Sequence, residues 1–365
     1  METLKKIKLL LKQHVGAPCI PTVKVGDLVK RGECIAEPSG LGARIHSSVS
    51  GKVESLNERE IVILADDVQN KDYIKIKECD SIVDAVYEAG VVGAGGAGFP
   101  THVKLKADLA DGYIIANCVE CEPALHHNIG LLEKDPEIVI RGIEYAMEAI
   151  GAKKAYIAIK SKNKKAIAAI KKHLSDSKNI EVKELKDMYP MGEERAIIHA
   201  IFGKWLEPTQ LPLDAKCVVL NAETLSNITR AVEDRKPVID KDITVVGKIK
   251  GGNAPHILYE VPIGTPIKNL IEECGGIDGE YGEVVIGGPY TGKAEDLENA
   301  VVTKMSGGAI VTIPFPRYEG SIGLLVCACG ANEERLRDVA SKMGANVVAY
   351  VQAAAAYKES RDYRN

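Results

Sequence analysis

Aromatic residues are few in this chain, which has one Trp and three Phe. Any planar ligand must therefore be held largely by backbone and aliphatic groups. No apolar stretch is long enough to cross a bilayer. The opening residues, METLKKIKLLL, lack the apolar core of a cleavable signal; they read as a first strand, or as a short amphipathic surface segment. Neither charge dominates. The formal net charge is −4 and basic runs are only a few residues long, which argues against nucleic acid as the main partner. The nine cysteines are odd in number and scattered, a usage that fits a reducing cytoplasm better than a disulfide framework.

At 365 residues the chain is too long for one small core, and two or three domains are expected. Residues 14–54 hold short β-branched runs, Thr22–Val25 and Ile45–Val49, between turn signals such as Gly26-Asp27 and Arg31-Gly32. This is a small all-β unit, and its pattern VKVGDLVKRGE…IHSSVSGKV resembles the barrel-sandwich hammerhead of biotinyl and lipoyl domains. Leu41-Gly42-Ala43-Arg44 stands at the hairpin tip where those domains carry a modified lysine, so a scaffold without a swinging arm is expected.

From residue 81 to about 235, helix and strand signals alternate, which means an α/β layer with a mostly parallel sheet. Ser81 and Asp84 are spaced as a capping box and Gly90 closes that helix. Strands are expected at Tyr113–Asn117, Ala155–Ile159, Glu181–Leu185 and Cys217–Asn221, and helices at Pro136–Ile150, Lys164–Leu174 and Glu193–Phe202. From Ile243 two short strands, a turn and a helix ending in Gly275-Gly276 outline a compact α+β module of a ubiquitin-like kind. The end, AAAAYKESRDYRN, has no apolar stripe to bury and reads as a helical extension or a frayed tail.

The segment GVVGAGGAGFPTHVKL packs five glycines into Gly90–Gly98. Gly93, Gly95 and Gly98 satisfy G-x-G-x-x-G, but a capped helix stands where the dinucleotide fingerprint needs a strand, and Phe99 stands where a P-loop needs Lys. Two readings remain at this point: a turn, or a loop whose backbone closely approaches a ligand. Other segments favour the ligand. The strand Tyr113–Asn117 runs into NCVECEP, and ligands of open α/β sheets bind beyond strand carboxyl ends. YPMGEERA and LNAETLSN likewise place polar groups after a strand or at a helix start. Helix N-termini and glycine N–H groups suit a phosphate, with Lys104 as countercharge. Together these features describe a mononucleotide pocket lined by backbone.

At GAGGAGFPTHVK, NCVECEP, YPMGEE and NAETL, over about residues 14–312, the chain resembles the family of the flavin-bearing, NADH-oxidising subunit of respiratory complex I and its relative RnfC. GLLVCACGANEERL further resembles the RnfC-like electron-transfer proteins associated with proline reductase. The resemblance implies a Rossmann-like α/β FMN-binding domain at 79–240, after a barrel-sandwich hammerhead at 1–78. A ubiquitin-like SLBB module at 241–312 follows, then a C-terminal extension at 313–365. It implies FMN at Gly93, Gly95, Gly96, Lys104, Asn117, Glu120, Asn221 and Thr224. Val119 stands where the family has an acidic flavin contact, a loss of one hydrogen bond. For NADH, Phe99, Glu122 and Glu194 match part of the family's set, while Ala107 and Gln210 fall at the places of two further stacking rings.

Cys118 and Cys121 form C-x-x-C, read as packing or flavin proximity ahead of a working dithiol. For Cys327 and Cys329, core packing and a thiol function both remain open. His126-His127 reads as surface or loop polarity, and Lys164–Lys172 as a solvated helix face with weak partner docking as the minor alternative. The chain lacks the cysteine runs of a ferredoxin-like domain, so no iron–sulfur cluster or zinc is expected within it. The expected protein is a cytoplasmic flavoprotein that takes hydride from NADH onto FMN and passes electrons to a protein such as proline reductase. The alternative is a non-catalytic scaffold with the same fold.

Overall fold

The computed structural model describes residues 6–96, 98–174, 179–252, 254–326 and 332–352. The pair Cys327 and Cys329 and the tail from residue 353 lie outside the described residues.

The N-terminal unit is all β. Strands β1 (Lys6–Leu10), β2 (Ile20–Pro21), β3 (Leu28–Val29), β4 (Cys34–Glu37), β5 (Ile45–His46), β6 (Gly51–Leu56) and β7 (Glu60–Ala65) form two antiparallel sheets, β1-β7-β6-β3 and β2-β4-β5. Thr22–Val25 is not a strand. Asp27 turns back to accept from the Lys24 amide at 2.8 Å, so the β-branched run is spent on a turn. Likewise only Ile45–His46 of the Ile45–Val49 run is paired. The tip at Arg44 docks on the next unit, with its guanidinium donating to Glu88 and lying over the Tyr87 ring.

Helices α1 (Ile82–Glu88) and α2 (Thr101–Lys104) flank the glycine loop. Ser81 Oγ accepts from the Asp84 amide at 3.1 Å, and Gly90 takes φ +67°, so the cap and stop read from the sequence are both used. A parallel sheet follows in the order β10-β9-β8-β11, from β8 (Tyr113–Cys118), β9 (Lys154–Lys160), β10 (Ile180–Leu185) and β11 (Cys217–Asn221). Helices α3 (His127–Lys134), α4 (Pro136–Ile150), α5 (Lys164–His173) and α7 (Ala222–Thr229) cover one face, and α6 (Glu194–Phe202) covers the other. Asp135 caps α4 and Gly151 ends it at φ +72°. Buried Ile138, Val139, Ile143 and Ala146 then face the sheet, giving the amphipathic stripe its partner.

The third unit holds β12 (Asp240–Gly247), β13 (His256–Pro262), α8 (Ile267–Glu273), β14 (Val284–Ile286), β15 (Lys293–Glu295) and β16 (Gly308–Val311). Its sheet order is β13-β12-β16-β14-β15, with β16 parallel to β12, and α8 packs Ile267, Leu270 and Ile271 beneath it. Last comes β17 (Ser321–Val326), α9 (Glu333–Met343) and β18 (Asn346–Gln352), a parallel strand pair with its crossover helix. No helix among the described residues is long and apolar enough to cross a membrane.

Candidate functional site

A cavity of about 600 Å³ opens at the carboxyl end of the parallel sheet, between the glycine loop, the start of α6 and the ends of β8 and β11. That volume lies within the usual range for small-molecule sites. The glycine loop is closed at its base by a bridge between Val92 and Pro100 and by the Gly93 amide donating to Phe99 O at 3.0 Å. Thr224, fully buried, accepts from the Ala94 amide at 3.0 Å, so its hydroxyl holds the loop from behind. A Cβ on Gly95 would sit 2.7 Å from Asn221 Nδ2, whereas one on Gly96 would meet nothing within 4 Å and would stand in open space.

Lys104 Nζ donates to Glu194 Oε1 and to Val219 O, each at 3.1 Å. An ammonium has three N–H groups, which leaves one for an anion in the cavity. Asn117 is fixed by donating to Gly192 O at 2.9 Å and accepting from the Val119 amide at 3.1 Å. Asn221 Oδ1 caps α7 by accepting from the Glu223 amide at 2.8 Å, which leaves its amide hydrogens turned to the loop. Glu193 spends its carboxylate on the Arg195 and Ala196 amides at the start of α6.

The cavity wall thus brings together Gly93, Gly95, Gly96, Phe99, Lys104, Asn117, Glu194, Asn221 and Thr224. Glu120 and Glu122 are elsewhere. They line a second cavity of about 280 Å³, with His126, Lys160, Tyr189 and Tyr290 among its other walls. Glu122 accepts from the Tyr290 amide at 2.9 Å, the Thr291 amide at 2.9 Å and Thr291 Oγ1 at 2.5 Å, so its carboxylate clasps a turn of the third unit. Glu120 accepts only two long bonds, from the Glu122 amide at 3.2 Å and Asn128 Nδ2 at 3.3 Å, and burial pushes its carboxyl up to about 7. Cys121 Sγ accepts from the Gly192 amide at 2.7 Å, so a single layer of chain separates the two cavities.

Burial pushes the Cys118 thiol up to about 12 and also raises Cys121, which keeps both protonated at neutral pH. His126 is exposed, but His127 is buried, with Nδ1 3.2 Å from Thr244 Oγ1; the expectation of a surface pair is corrected on that side. Ala107 packs against the main core and Gln210 turns to cap the Glu207 amide at 2.8 Å, so neither offers a ring.

Sequence reasoning missed Thr101 and the run Leu211-Pro212-Leu213, all on the cavity wall. Thr101 Oγ1 is buried and has no hydrogen-bond partner among the described residues. An orphaned hydroxyl facing a cavity is what a ligand with polar groups would satisfy. Leu211 and Leu213 are exposed in a loop, and two leucines flanking a proline outside any helix or strand were the available signal. The glycine cradle, the spare Lys104 donor and the Thr101 hydroxyl fit a phosphorylated, hydrogen-bonding planar ligand.

The fold and the cavity define an α/β protein with a ligand site at the strand carboxyl ends, carrying a β unit on one side. Residues 86–230 match the family model described as the Nuo51 FMN-binding domain, and residues 1–77 match the RnfC barrel sandwich hybrid domain. The RnfC-type component of the Na(+)-translocating ferredoxin:NAD(+) oxidoreductase complex of Acetobacterium woodii is 35% identical over 317 residues, covering 81% of this chain and 71% of the relative. The chain belongs to the RnfC family. The cobalamin reductase PduS of Salmonella typhimurium is 38% identical over 232 residues, covering 64% of this chain and 50% of that protein. Among solved structures, an NAD+-reducing [NiFe]-hydrogenase in the air-oxidized state matches with a TM-score of 0.54 and 26% identity, over 64% of this chain and 46% of the hydrogenase chain.

Proposed function

We infer that the chain is an electron-transfer flavoprotein that holds FMN in the 600 Å³ cavity, accepts hydride from NADH and passes electrons to a protein partner. The observation that carries this reading is the convergence of the glycine backbone, the spare Lys104 N–H and the two asparagines on one cavity. In this reading Lys104 and Thr101 hold the phosphate side. Gly93, Gly95 and Gly96 give the ring and ribityl chain room against backbone, and Asn117 and Asn221 supply polar edges. Val103, Val218, Leu220, Leu211 and Leu213 keep water from the ring. Bound flavin would supply the redox chemistry, taking two electrons together and releasing them singly.

NADH would lie against Phe99, with Glu194 at the cavity wall and Glu122 available only if the clasp on Tyr290 and Thr291 opens. We assign residues 241–312 to the SLBB type. The sequence supplies at most two close cysteines at any place, Cys118 with Cys121 and Cys327 with Cys329, which favours electron exit to another protein over a cluster in this chain. The names of the relatives point to ferredoxin, NAD(+) or cobalamin partners, and proline reductase is a further acceptor to assay.

Lys104→Ala tests the phosphate assignment. Loss of a charge-assisted hydrogen bond of about 1.5–3 kcal/mol should weaken FMN roughly ten- to a hundredfold in a fluorescence titration, with riboflavin changed far less. Equal losses for both ligands would remove Lys104 from the site. Mixing the FMN-loaded protein with millimolar NADH in a stopped-flow cell should bleach the flavin band. A band that stays oxidised for minutes would exclude NADH as donor.

A further inference from the structure

The chain carries a net charge of −4, yet residues 149–175 contain eight lysines and no acidic residue. The fold gathers these lysines on one face. Helix α5 buries Ala166, Ile167 and Ile170 and leaves Lys164, Lys165, Lys171 and Lys172 in solvent. The neighbouring strand β10 and the segment after it only partly compensate. Glu184 lies between Lys164 at 3.3 Å and Lys171 at 2.8 Å, and Asp187 between Lys160 at 3.1 Å and Lys162 at 2.9 Å. Glu181 is likewise held by Lys154 at 2.6 Å and Lys183 at 3.1 Å. Each carboxylate faces two ammonium groups, so the surface stays positive after its internal pairs are made. Lys153, Lys165 and Lys172 have no carboxylate partner among the described residues. The flanking lysines hold Glu181, Glu184 and Asp187 below their ordinary carboxylate range, as a positive local field requires.

The position of this face matters as much as its sign. The loop from β9 into α5 places Lys160, Lys162 and Asn163 on the second cavity, at the same end of the sheet as the proposed flavin cavity. Only the Cys121–Gly192 contact layer separates the two. A protein docked on the lysines would therefore stand beside the flavin. A membrane surface fits less well: an interfacial helix needs an apolar face to insert, and the apolar face of α5 is already in the core.

We propose that the lysine face formed by α5 and the loop of residues 160–163 is the docking surface for an acidic electron-carrier protein. The inference rests on the electron-transfer reading above and names the chemistry of the partner. Charge of this kind raises encounter rates and sets orientation, and it weakens with salt because exposed pairs are screened.

The test uses the full chain, loaded with FMN, immobilised for binding measurements against an acidic ferredoxin, with a basic cytochrome c as counter-probe. Wild type should bind the ferredoxin and not the cytochrome, and the affinity should fall steeply between about 50 and 300 mM NaCl. Lys165→Glu with Lys172→Glu should weaken binding about tenfold or more, while Lys165→Arg with Lys172→Arg stays within about twofold of wild type. The proposal is overturned if the Glu variant binds as tightly as wild type or if both probes bind alike. It also fails if phosphatidylserine vesicles are captured while the ferredoxin is not. Flavin absorbance of the same samples separates the two readings. Ferredoxin capture by a chain that never takes FMN defeats the flavin assignment alone, and a yellow chain blind to ferredoxin defeats the docking surface alone.

Discussion

Gly95 and Gly96 are neighbours that meet different surroundings, and valine at each should fail differently. A side chain at Gly95 would run into Asn221 Nδ2 at 2.7 Å, so Gly95→Val must move the cap of α7 and should lower the melting temperature as well as flavin retention. Gly96 has open space and no left-handed φ, so Gly96→Val should fold with a melting temperature close to wild type yet lose FMN, because the new side chain fills the cavity. Thermal melts beside flavin absorbance separate the two; a yellow Gly96→Val protein would remove that residue from the site. Glu120 offers a pH test. Its carboxyl is pushed to about 7 by burial, so between about 4.5 and 7 the folded chain keeps a proton that the unfolded chain has lost. Stability from this residue therefore declines as pH rises through that window. Glu120→Gln should melt higher than wild type at pH 8 by about a few degrees, and the gain should vanish near pH 4.5. A gain independent of pH would mean that the carboxyl ionises normally.

At the scale of elements, the turn after β14 is held to the α/β unit by one side chain. Glu122 takes three hydrogen bonds from Tyr290 and Thr291, two of them from backbone amides. Hydrogen bonds to a charged group contribute about 1.5–3 kcal/mol each. Glu122→Ala should therefore raise hydrogen exchange at the Tyr290 and Thr291 amides by roughly tenfold or more, with β12 and β16 unaffected. Unchanged exchange at both amides would show that the turn holds itself. The same turn explains why Glu122 is not on the larger cavity: its partners stand 168 and 169 residues downstream, beyond any local motif.

Across the whole molecule, Lys304 joins all three units. Its buried Nζ donates to Arg44 O of the β unit at 2.6 Å and to Gly90 O beside the glycine loop at 2.7 Å, and its backbone amide donates to Gln13 at 3.0 Å. Burial lowers its pKa to about 8. Between about 8 and 10.5 the unfolded chain binds a proton that the folded chain does not, so stability from this residue rises with pH in that window. Lys304→Met leaves two carbonyls without their donor and should cost about 2–5 kcal/mol. The melting-temperature deficit of this variant should be larger at pH 9.5 than at pH 7.5. A deficit equal at both would place the lysine charge outside the stability balance.

The elements that local chemistry specifies were legible without coordinates. β11 spans Cys217–Asn221 and α4 spans Pro136–Ile150 as expected from an apolar run, an Asp cap and a closing glycine, because these signals act over a few residues. The glycine loop, Lys104 and the two asparagines were likewise readable as groups that follow strands or precede helices, and a parallel sheet delivers such groups to one edge. Tertiary structure decided the rest. His127 is buried because Thr244 of β12 reaches it, and Thr22–Val25 forms a turn because Asp27 competes for its amide. Thr101 and residues 211–213 join the cavity only when chain segments over a hundred residues apart close around it. Spacing in sequence reports what one element can present, but the partner that uses it arrives from distant chain through packing, and packing depends on the whole fold.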